Sequence, residues 1–168
     1  ARNFINGMNE AGMQATGKHF PGHGGIFEDS HISEPVDTRS YEKLLEIDLK
    51  PFIELKNNLG ALMTAHITFP KIDGTCVSYS DVWIKKILKE KLTFEGIVFS
   101  DDLSMKGAGA FSMGEKAMES IEAGCDMVLV CNDYDGTMDV IDAFERNNVQ
   151  MSVKIKDLKN SADINWND

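Results

Sequence analysis

Short apolar runs alternate with longer amphipathic segments along the chain. The apolar runs have the length of buried strands, and the segments between them show the 3.6-residue spacing of amphipathic helices. The predicted strands are Ala15–Phe20, Ala61–Ala65, Gly96–Ser100 and Asp126–Cys131. Each connection is long enough for a helical crossover, so we predict parallel strands joined in the right-handed sense.

Side chains suited to helix ends mark where the predicted helices begin and end. Ser112 and Glu115 have the spacing of a capping box, and Gly124 follows as the C-terminal stop of the same helix. The remaining predicted helix starts are Asp48, with Pro51 in the first turn, then Ser80, then Asp135 or Thr137.

The predicted order is one helix, four β–loop–α units and a polar tail over residues 149–168, with no internal domain boundary. This order fits an α/β fold of two kinds, an open doubly wound sheet or part of a (β/α)8 barrel. A complete barrel takes about 250 residues, so a barrel would be present here as its C-terminal half. Polar side chains follow the strand ends, where both folds place their active sites. They belong to Lys18, His19, His66, Asp101, Asp102 and Asn132.

Charge and cysteine content narrow the class of protein. The net charge is −10, and no run of Lys or Arg is longer than a pair, which argues against nucleic acid and anionic membranes as partners. The longest apolar run, Met127–Cys131, is too short to cross a bilayer. Three cysteines without a CxxC pair predict reduced thiols and a cytoplasmic location. Ala1 falls within a helical pattern, so we do not expect it to be a natural start.

The first group of residues with chemical potential is Lys18–Gly24, followed by Asp29 and His31. It holds three of the chain's four histidines. A loop could bring the Asp29 carboxylate onto the His31 imidazole, which would fix the tautomer and leave the other ring nitrogen free to transfer a proton. The rival interpretations are a glycine-rich surface loop, and a metal site formed by His19, His23 and His31 with His66 as a further ligand.

The second group is the apolar strand that delivers Asp101 and Asp102 at its end. Successive strand residues point to opposite faces, so only one of the two acids is expected to face a shared pocket. That acid could act as a nucleophile, a base or a metal ligand, and the other is expected to cap the following turn. His66, at the end of the Ala61–Ala65 strand, is more typical of a packing histidine than of a catalyst.

Taken together, these residues resemble glycoside hydrolase family 3, and most closely its bacterial cytosolic β-N-acetylglucosaminidase branch. The similarity covers about residues 3–145. The segments that carry it are Lys18–Gly24, Asp29–Ser30–His31, Thr64–Ala65–His66, Phe94–Met105 and Ala123–Met127.

The resemblance implies a (β/α)8 barrel and hydrolysis with retention through a covalent glycosyl-enzyme. Asp101 corresponds to the nucleophile, His31 to the general acid/base and Asp29 to its orienting partner. Lys18 and His19 correspond to residues that hold the sugar hydroxyls. No cofactor and no metal are implied. An imidazole has an unperturbed pKa of about 6.5, so it can serve as acid and base without the raised pKa that a glutamate would need.

The implied substrate is a terminal N-acetylglucosamine on a peptidoglycan-derived muropeptide, released during cell-wall recycling. Nothing in the sequence matches the first four strands of the family barrel, so the sugar pocket is expected to be incomplete in this segment. We therefore expect low activity of the segment alone and self-association of the exposed half-barrel. The alternatives are a non-catalytic carbohydrate-binding half-barrel and a related β-glucosidase or phosphorylase.

Overall fold

A computed structural model describes residues 1–150 and 152–158 of the chain. A four-stranded parallel sheet forms its centre, with helices in the connections between the strands. The strands and main helices are α1 (Arg2–Glu10), β1 (Thr16–Phe20), α2 (Tyr41–Glu46), α3 (Lys50–Leu55), β2 (Ala61–Thr64), β3 (Thr68–Phe69), β4 (Asp73–Cys76), a π-helix (Val82–Lys91), β5 (Ile97–Asp102), α4 (Met113–Ala123), β6 (Met127–Leu129) and α5 (Tyr134–Arg146). Short 3-10 helices lie at Lys56–Asn58, Val77–Tyr79, Lys106–Ala108 and Val153–Leu158.

The four predicted strands are confirmed, with boundaries that differ by only a few residues. They pair in parallel in the order β1-β2-β5-β6, with Ala61 opposite both Thr16 and Ile97. Strand order therefore follows chain order, without the reversal that defines a doubly wound sheet. This sequential parallel order is that of a (β/α)8 barrel present in part.

The β3–β4 hairpin was not predicted. It is antiparallel and pairs Thr68 with Cys76, and an isolated parallel bridge also joins Thr68 to Val36. β3 is only two residues long, which is too short to show a recognisable alternation of apolar and polar positions. The hairpin lies in the connection between β2 and the π-helix.

Two predicted helix ends are confirmed by their hydrogen bonds. Ser112 Oγ accepts the Glu115 N–H at 3.2 Å, and Glu115 Oε2 accepts the Ser112 N–H at 2.9 Å, so the capping box is complete. Gly124 ends α4 with φ at +116°, a left-handed conformation that favours glycine. Ser80 Oγ accepts the N–H of Trp83 at 3.0 Å as predicted for a cap, but the residue directly before the π-helix is Asp81.

The predicted cap at Asp48 is wrong. Leu49 is the residue before α3, and no side chain caps this helix, although Pro51 lies in its first turn as expected. The Asp48 carboxylate instead accepts a hydrogen bond from Arg39 Nη1 at 2.6 Å. The Asp48 side chain is nearly buried and is held by this ion pair with Arg39. The spacing of residues along the chain does not reveal such a tertiary contact.

The predicted start of α5 at Asp135 or Thr137 is also wrong. Asp133 is the cap: its Oδ1 accepts the Gly136 N–H at 2.8 Å, and the helix begins at Tyr134. Asp133, Asp135 and Thr137 all have side chains that suit a cap, and the chain direction at the end of β6 decides which one is used.

The main core lies between the sheet and the helices of its first two crossovers. Trp83 is fully buried, with its ring centroid 5.1 Å from that of Phe69 and 6.0 Å from that of Phe20. Leu62 of β2 and Val98 of β5 supply the sheet side of the same cluster. A smaller cluster around Leu103 packs the crossover from β5 to β6.

The segment after α5 returns toward the sheet. Ser152 Oγ donates to Asp126 Oδ1 at 3.1 Å, and Lys154 Nζ donates to the Glu95 carbonyl at 3.0 Å. Residues 151 and 159–168 of the predicted polar tail lie outside the described residues. Within the described part of the chain, no helix is both long and apolar enough to cross a membrane. The three cysteines, Cys76, Cys125 and Cys131, are free thiols.

Candidate active site

The sheet gathers the predicted site residues at one edge, because parallel strands end on the same side. Lys18 and His19 lie in the second half of β1, and Asp101 and Asp102 are the last two residues of β5. His66 lies two residues beyond the end of β2. In a barrel this edge is the face that carries the active site.

The side chains of Asp101 and His19 approach one another from two different strands, β5 and β1. Asp101 Oδ2 lies 3.5 Å from His19 Nε2, and the carboxylate is only 14% exposed. Asp101 Oδ1 accepts the backbone N–H of Asp102 at 2.9 Å, which fixes the rotation of the carboxylate. The other oxygen, Oδ2, is thereby directed toward His19.

The surroundings of His19 favour the neutral form of its imidazole over the charged one. Burial lowers the pKa of His19 below its ordinary value of 6.5, and the negative charge of Asp101 offsets that effect only in part. The positive charge of Lys18 lowers the pKa further. A neutral ring can donate one hydrogen bond and accept another.

Asp102 has the structural role expected of the second acid. Its Oδ1 accepts the N–H groups of Ser104 and Cys131, both at 3.0 Å, and its Oδ2 accepts the Ser104 hydroxyl at 2.6 Å. Burial opposes ionisation of Asp102, but these hydrogen bonds outweigh it and lower the pKa of the carboxyl. Asp102 thus ties the turn after β5 to the end of β6.

Asp29 and His31 meet on the loop after β1, as the sequence predicted. Asp29 Oδ1 lies 2.7 Å from His31 Nδ1 and also accepts the backbone N–H of His31 at 2.9 Å. The backbone hydrogen bond, followed by the side-chain one, lowers the pKa of Asp29 below its ordinary value. Both side chains are exposed, 58% for Asp29 and 72% for His31, so the pair faces solvent.

His66 occupies a packing position beside these groups. It is 1% exposed, and its Nε2 lies 3.0 Å from the carbonyl oxygen of Asp102. Burial lowers the pKa of His66, against the opposing charge of Asp101. The buried ring therefore packs against the end of β5, as the packing interpretation of His66 predicted.

A cavity of about 580 Å³ opens beside β1. Its lining includes Lys18, His19 and His23 together with apolar side chains such as Phe52 and Leu59. Asp101 and His31 do not border this cavity. Because His19 lines the cavity and also contacts Asp101, the cavity lies next to the end of β5, with Lys18 and His19 in its wall.

A charged cluster around Arg39, which the sequence did not predict, supports the glycine-rich loop. Arg39 donates to both carboxylate oxygens of the buried Asp37 and to Asp48, and these bonds raise the pKa of its guanidinium. A Cβ on Gly25 would overlap the guanidinium, and one on Gly22 would meet the Asp48 side chain at 2.5 Å. The two-residue spacing of Asp37 and Arg39 was the available signal, but Asp48 joins them only in the fold.

The proposed histidine metal site has no geometric support in the described part of the chain. There, no group of three or more His, Cys, Asp or Glu side chains is placed to hold a metal ion. His23 instead contacts Ser30, with Nε2 3.2 Å from the hydroxyl oxygen. The histidines of the first loop are therefore divided among separate contacts.

Comparison with known proteins gives a consistent result. Residues 1–160 match the glycosyl hydrolase family 3 N terminal domain. The chain is 50% identical over 144 residues to a beta-hexosaminidase of Idiomarina loihiensis, covering 85% of this chain and 44% of that protein. It is 42% identical over 176 residues to a beta-hexosaminidase of Haemophilus influenzae strain PittEE, covering 100% and 50% of the two chains.

A solved structure has the same fold over nearly all of this chain. NagZ from Neisseria gonorrhoeae, in complex with N-trifluoroacetyl-D-glucosamine, superposes with a TM-score of 0.81 at 38% sequence identity. The match covers 96% of this chain and 48% of that one. The chain thus spans about half the length of the relatives it matches.

The partial parallel barrel, with its acids and histidines at the strand ends, places this chain among the barrel-type glycoside hydrolase domains. The chain belongs to glycosyl hydrolase family 3.

Proposed function

We propose that this chain carries the catalytic residues of a retaining β-N-acetylglucosaminidase. The observation that carries the proposal is the pairing of two features at one edge of the sheet. One is the Asp101 carboxylate, oriented toward His19 at the end of β5. The other is the Asp29–His31 pair on the loop after β1, a carboxylate-backed imidazole free to exchange protons.

In the first step the Asp101 carboxylate attacks the anomeric carbon of the sugar. The bond from that carbon to the leaving oxygen breaks, and protonated His31 gives its proton to the departing oxygen. The product is a covalent ester between the sugar and Asp101. Asp29 holds the Nδ1 side of the ring, so the proton leaves from Nε2.

In the second step the roles reverse. Neutral His31 takes a proton from water as the water oxygen attacks the anomeric carbon, and the Asp101 carboxylate leaves. Two inversions give net retention of configuration. Because His31 is exposed, its Nε2 is open both to the leaving oxygen and to the incoming water.

We propose that Lys18 and His19 bind the sugar hydroxyls. Both line the cavity beside β1, and a lysine ammonium there can form charge-assisted hydrogen bonds. The complex of the gonococcal relative with an N-acylated glucosamine supports N-acetylglucosamine as the sugar.

We propose muropeptides from peptidoglycan recycling as substrates and the cytoplasm as the location. The acidic surface and the free thiols are consistent with that setting.

Residues 1–168 are proposed to form one domain with a polar tail at 149–168. An isolated segment of this length is proposed to self-associate, because β1 and β6 each leave an edge of the described sheet unpaired.

The nucleophile assignment is tested by Asp101→Asn in the full-length protein. We expect turnover of a chromogenic β-N-acetylglucosaminide to be abolished, while the matched Asp135→Asn variant, at the exposed start of α5, keeps wild-type activity. A fluorinated glycosyl fluoride that slows the second step should label Asp101 in the wild type, as read by peptide mass spectrometry. Near-normal turnover by Asp101→Asn would refute the assignment.

A further inference from the structure

Ser30 differs sharply from the two residues that flank it. Asp29 and His31 are exposed, yet Ser30 between them is 4% exposed. The loop therefore turns this one side chain inward while it presents the two functional side chains to solvent.

Two separate segments hold Ser30 in its buried position. The Ser30 hydroxyl oxygen lies 3.2 Å from His23 Nε2, in the loop that directly follows β1. The Ser30 carbonyl accepts the N–H of Gly107 at 2.8 Å, in the 3-10 helix Lys106–Ala108 that follows β5. The residue is thus fixed between the loop that follows β1 and the 3-10 helix that follows β5.

Gly107 allows an approach that no other residue would permit. A Cβ at this position would lie 2.7 Å from the Ser30 carbonyl oxygen and 3.1 Å from that of Ser33. Both are backbone atoms, which cannot rotate away as a flexible side chain can. The turn that carries Gly107 is itself held, because Tyr79 donates its hydroxyl to the Ala108 carbonyl at 2.9 Å.

The loop around Ser30 is a closed turn. The Asp29 carbonyl accepts the N–H groups of Ile32 at 3.1 Å and Ser33 at 3.0 Å, and the Ser33 hydroxyl at 2.8 Å. A shift of Ser30 would consequently carry Asp29 and His31 along with it.

We propose that Ser30 and Gly107 are positioning residues that hold the Asp29–His31 loop against the turn following the Asp101 strand. Through them, His31, the proton donor, keeps a fixed position relative to Asp101, the carboxylate that attacks the sugar. The inference rests on the proposed function for its catalytic consequence, but the anchoring itself is a property of the fold.

The anchoring is tested by hydrogen exchange of the segment 25–34 in the full-length protein. Ser30→Ala removes the hydroxyl contact, and Gly107→Ala forces the two backbones apart. We expect exchange in this segment to rise about tenfold in each variant, as local opening becomes easier. Gly74→Ala is the matched control, because Gly74 is exposed and a Cβ there meets no atom within 4 Å.

Wild-type exchange rates in both Ser30→Ala and Gly107→Ala would overturn the anchoring. A rise of equal size in Gly74→Ala would overturn it as well, since the loop would then respond to changes anywhere nearby. If Gly107→Ala fails to fold, Ser30→Ala still decides the matter, because it removes one oxygen and adds no atoms to the packing.

Activity then separates this inference from the proposed function. For a substrate with a poor leaving group, we expect kcat to fall about 10- to 100-fold in Ser30→Ala with KM nearly unchanged, and a dinitrophenyl glycoside should be affected much less in its first step. Faster exchange without this leaving-group dependence would refute His31 as the acid while the anchoring stands. If both variants exchange at the wild-type rate while the wild type shows the leaving-group dependence, only the anchoring is refuted.

Discussion

A single oxygen of Asp29 contacts His31 twice, 2.7 Å from the ring Nδ1 and 2.9 Å from the backbone nitrogen. The double contact fixes both the position and the face of the imidazole. With Nδ1 turned to the carboxylate, Nε2 is the nitrogen left for a substrate. Because both contacts lie within one short loop, they orient the ring of His31, the proposed proton donor, before any sugar is bound.

Replacing Asp29 by Asn tests that orientation. The amide can still accept the backbone N–H of His31, but it lacks the negative charge that stabilises a protonated ring. We expect kcat to fall by about tenfold or more, with KM close to the wild-type value, in steady-state kinetics on a chromogenic β-N-acetylglucosaminide. Wild-type kcat in this variant would show that the contact does not serve proton transfer.

Replacing His31 by Ala tests the proton donor directly. Acid assistance matters most when the leaving oxygen is a poor leaving group, so the effect should depend on the aglycone. We expect the glycosylation rate to fall about 10²- to 10⁴-fold for an alkyl glycoside and far less for a dinitrophenyl glycoside, measured by pre-steady-state kinetics. Equal losses for both substrates would point to a role in binding.

The acceptor of the second step distinguishes a hydrolase from a phosphorylase. A neutral imidazole does not repel phosphate, so His31 alone does not exclude phosphate as acceptor. We expect free N-acetylglucosamine as the product with and without phosphate, as resolved by NMR of the reaction mixture. Accumulation of a sugar 1-phosphate would assign the phosphorylase reaction instead.

The Arg39 cluster makes a prediction about stability and pH. Hydrogen bonds and charge from Arg39 outweigh burial and lower the pKa of Asp37, so its stabilising effect is complete above the ordinary carboxyl pKa and is lost as pH falls through the lowered one. Arg39→Met leaves Asp37 and Asp48, both nearly buried, without their cation. We expect a loss of about 3–5 kcal/mol in the free energy of unfolding at pH 7.

The loss caused by Arg39→Met should shrink as pH falls toward 4, because protonation then neutralises the unpaired carboxyls. Urea denaturation at several pH values measures the trend. Lys43→Met, which breaks an exposed pair with Glu46, is the control and should leave the unfolding midpoint unchanged. A loss that stays constant with pH would contradict the electrostatic explanation.

The start of α5 can be tested with two neighbouring aspartates. Asp133→Ala removes the observed cap and should lower the free energy of unfolding by about 1 kcal/mol. Asp135→Ala, two residues further on and inside the first turn, should change it by less than about 0.5 kcal/mol. Urea denaturation of the two variants side by side gives the comparison, and the reverse order would restore Asp135 as the cap.

The sequence alone determined the four parallel strands, the capping box of α4 and the local parts of the site. Apolar runs marked the four strands of the parallel sheet, and the spacing of Ser112 and Glu115 marked a capping box. The two-residue separation of Asp29 and His31 also predicted their contact. Each of these interactions lies within a few residues of chain, where backbone geometry leaves few alternatives.

Only the tertiary structure decided the interactions between distant segments. It assigned Asp48 to Arg39 instead of a helix end, chose Asp133 as the cap of α5, and brought Gly107 onto the Ser30 carbonyl. Several partners of suitable chemistry exist for each such group in the sequence. Which partner is met depends on strand order and on the packing between the crossovers, and no local pattern encodes those distances.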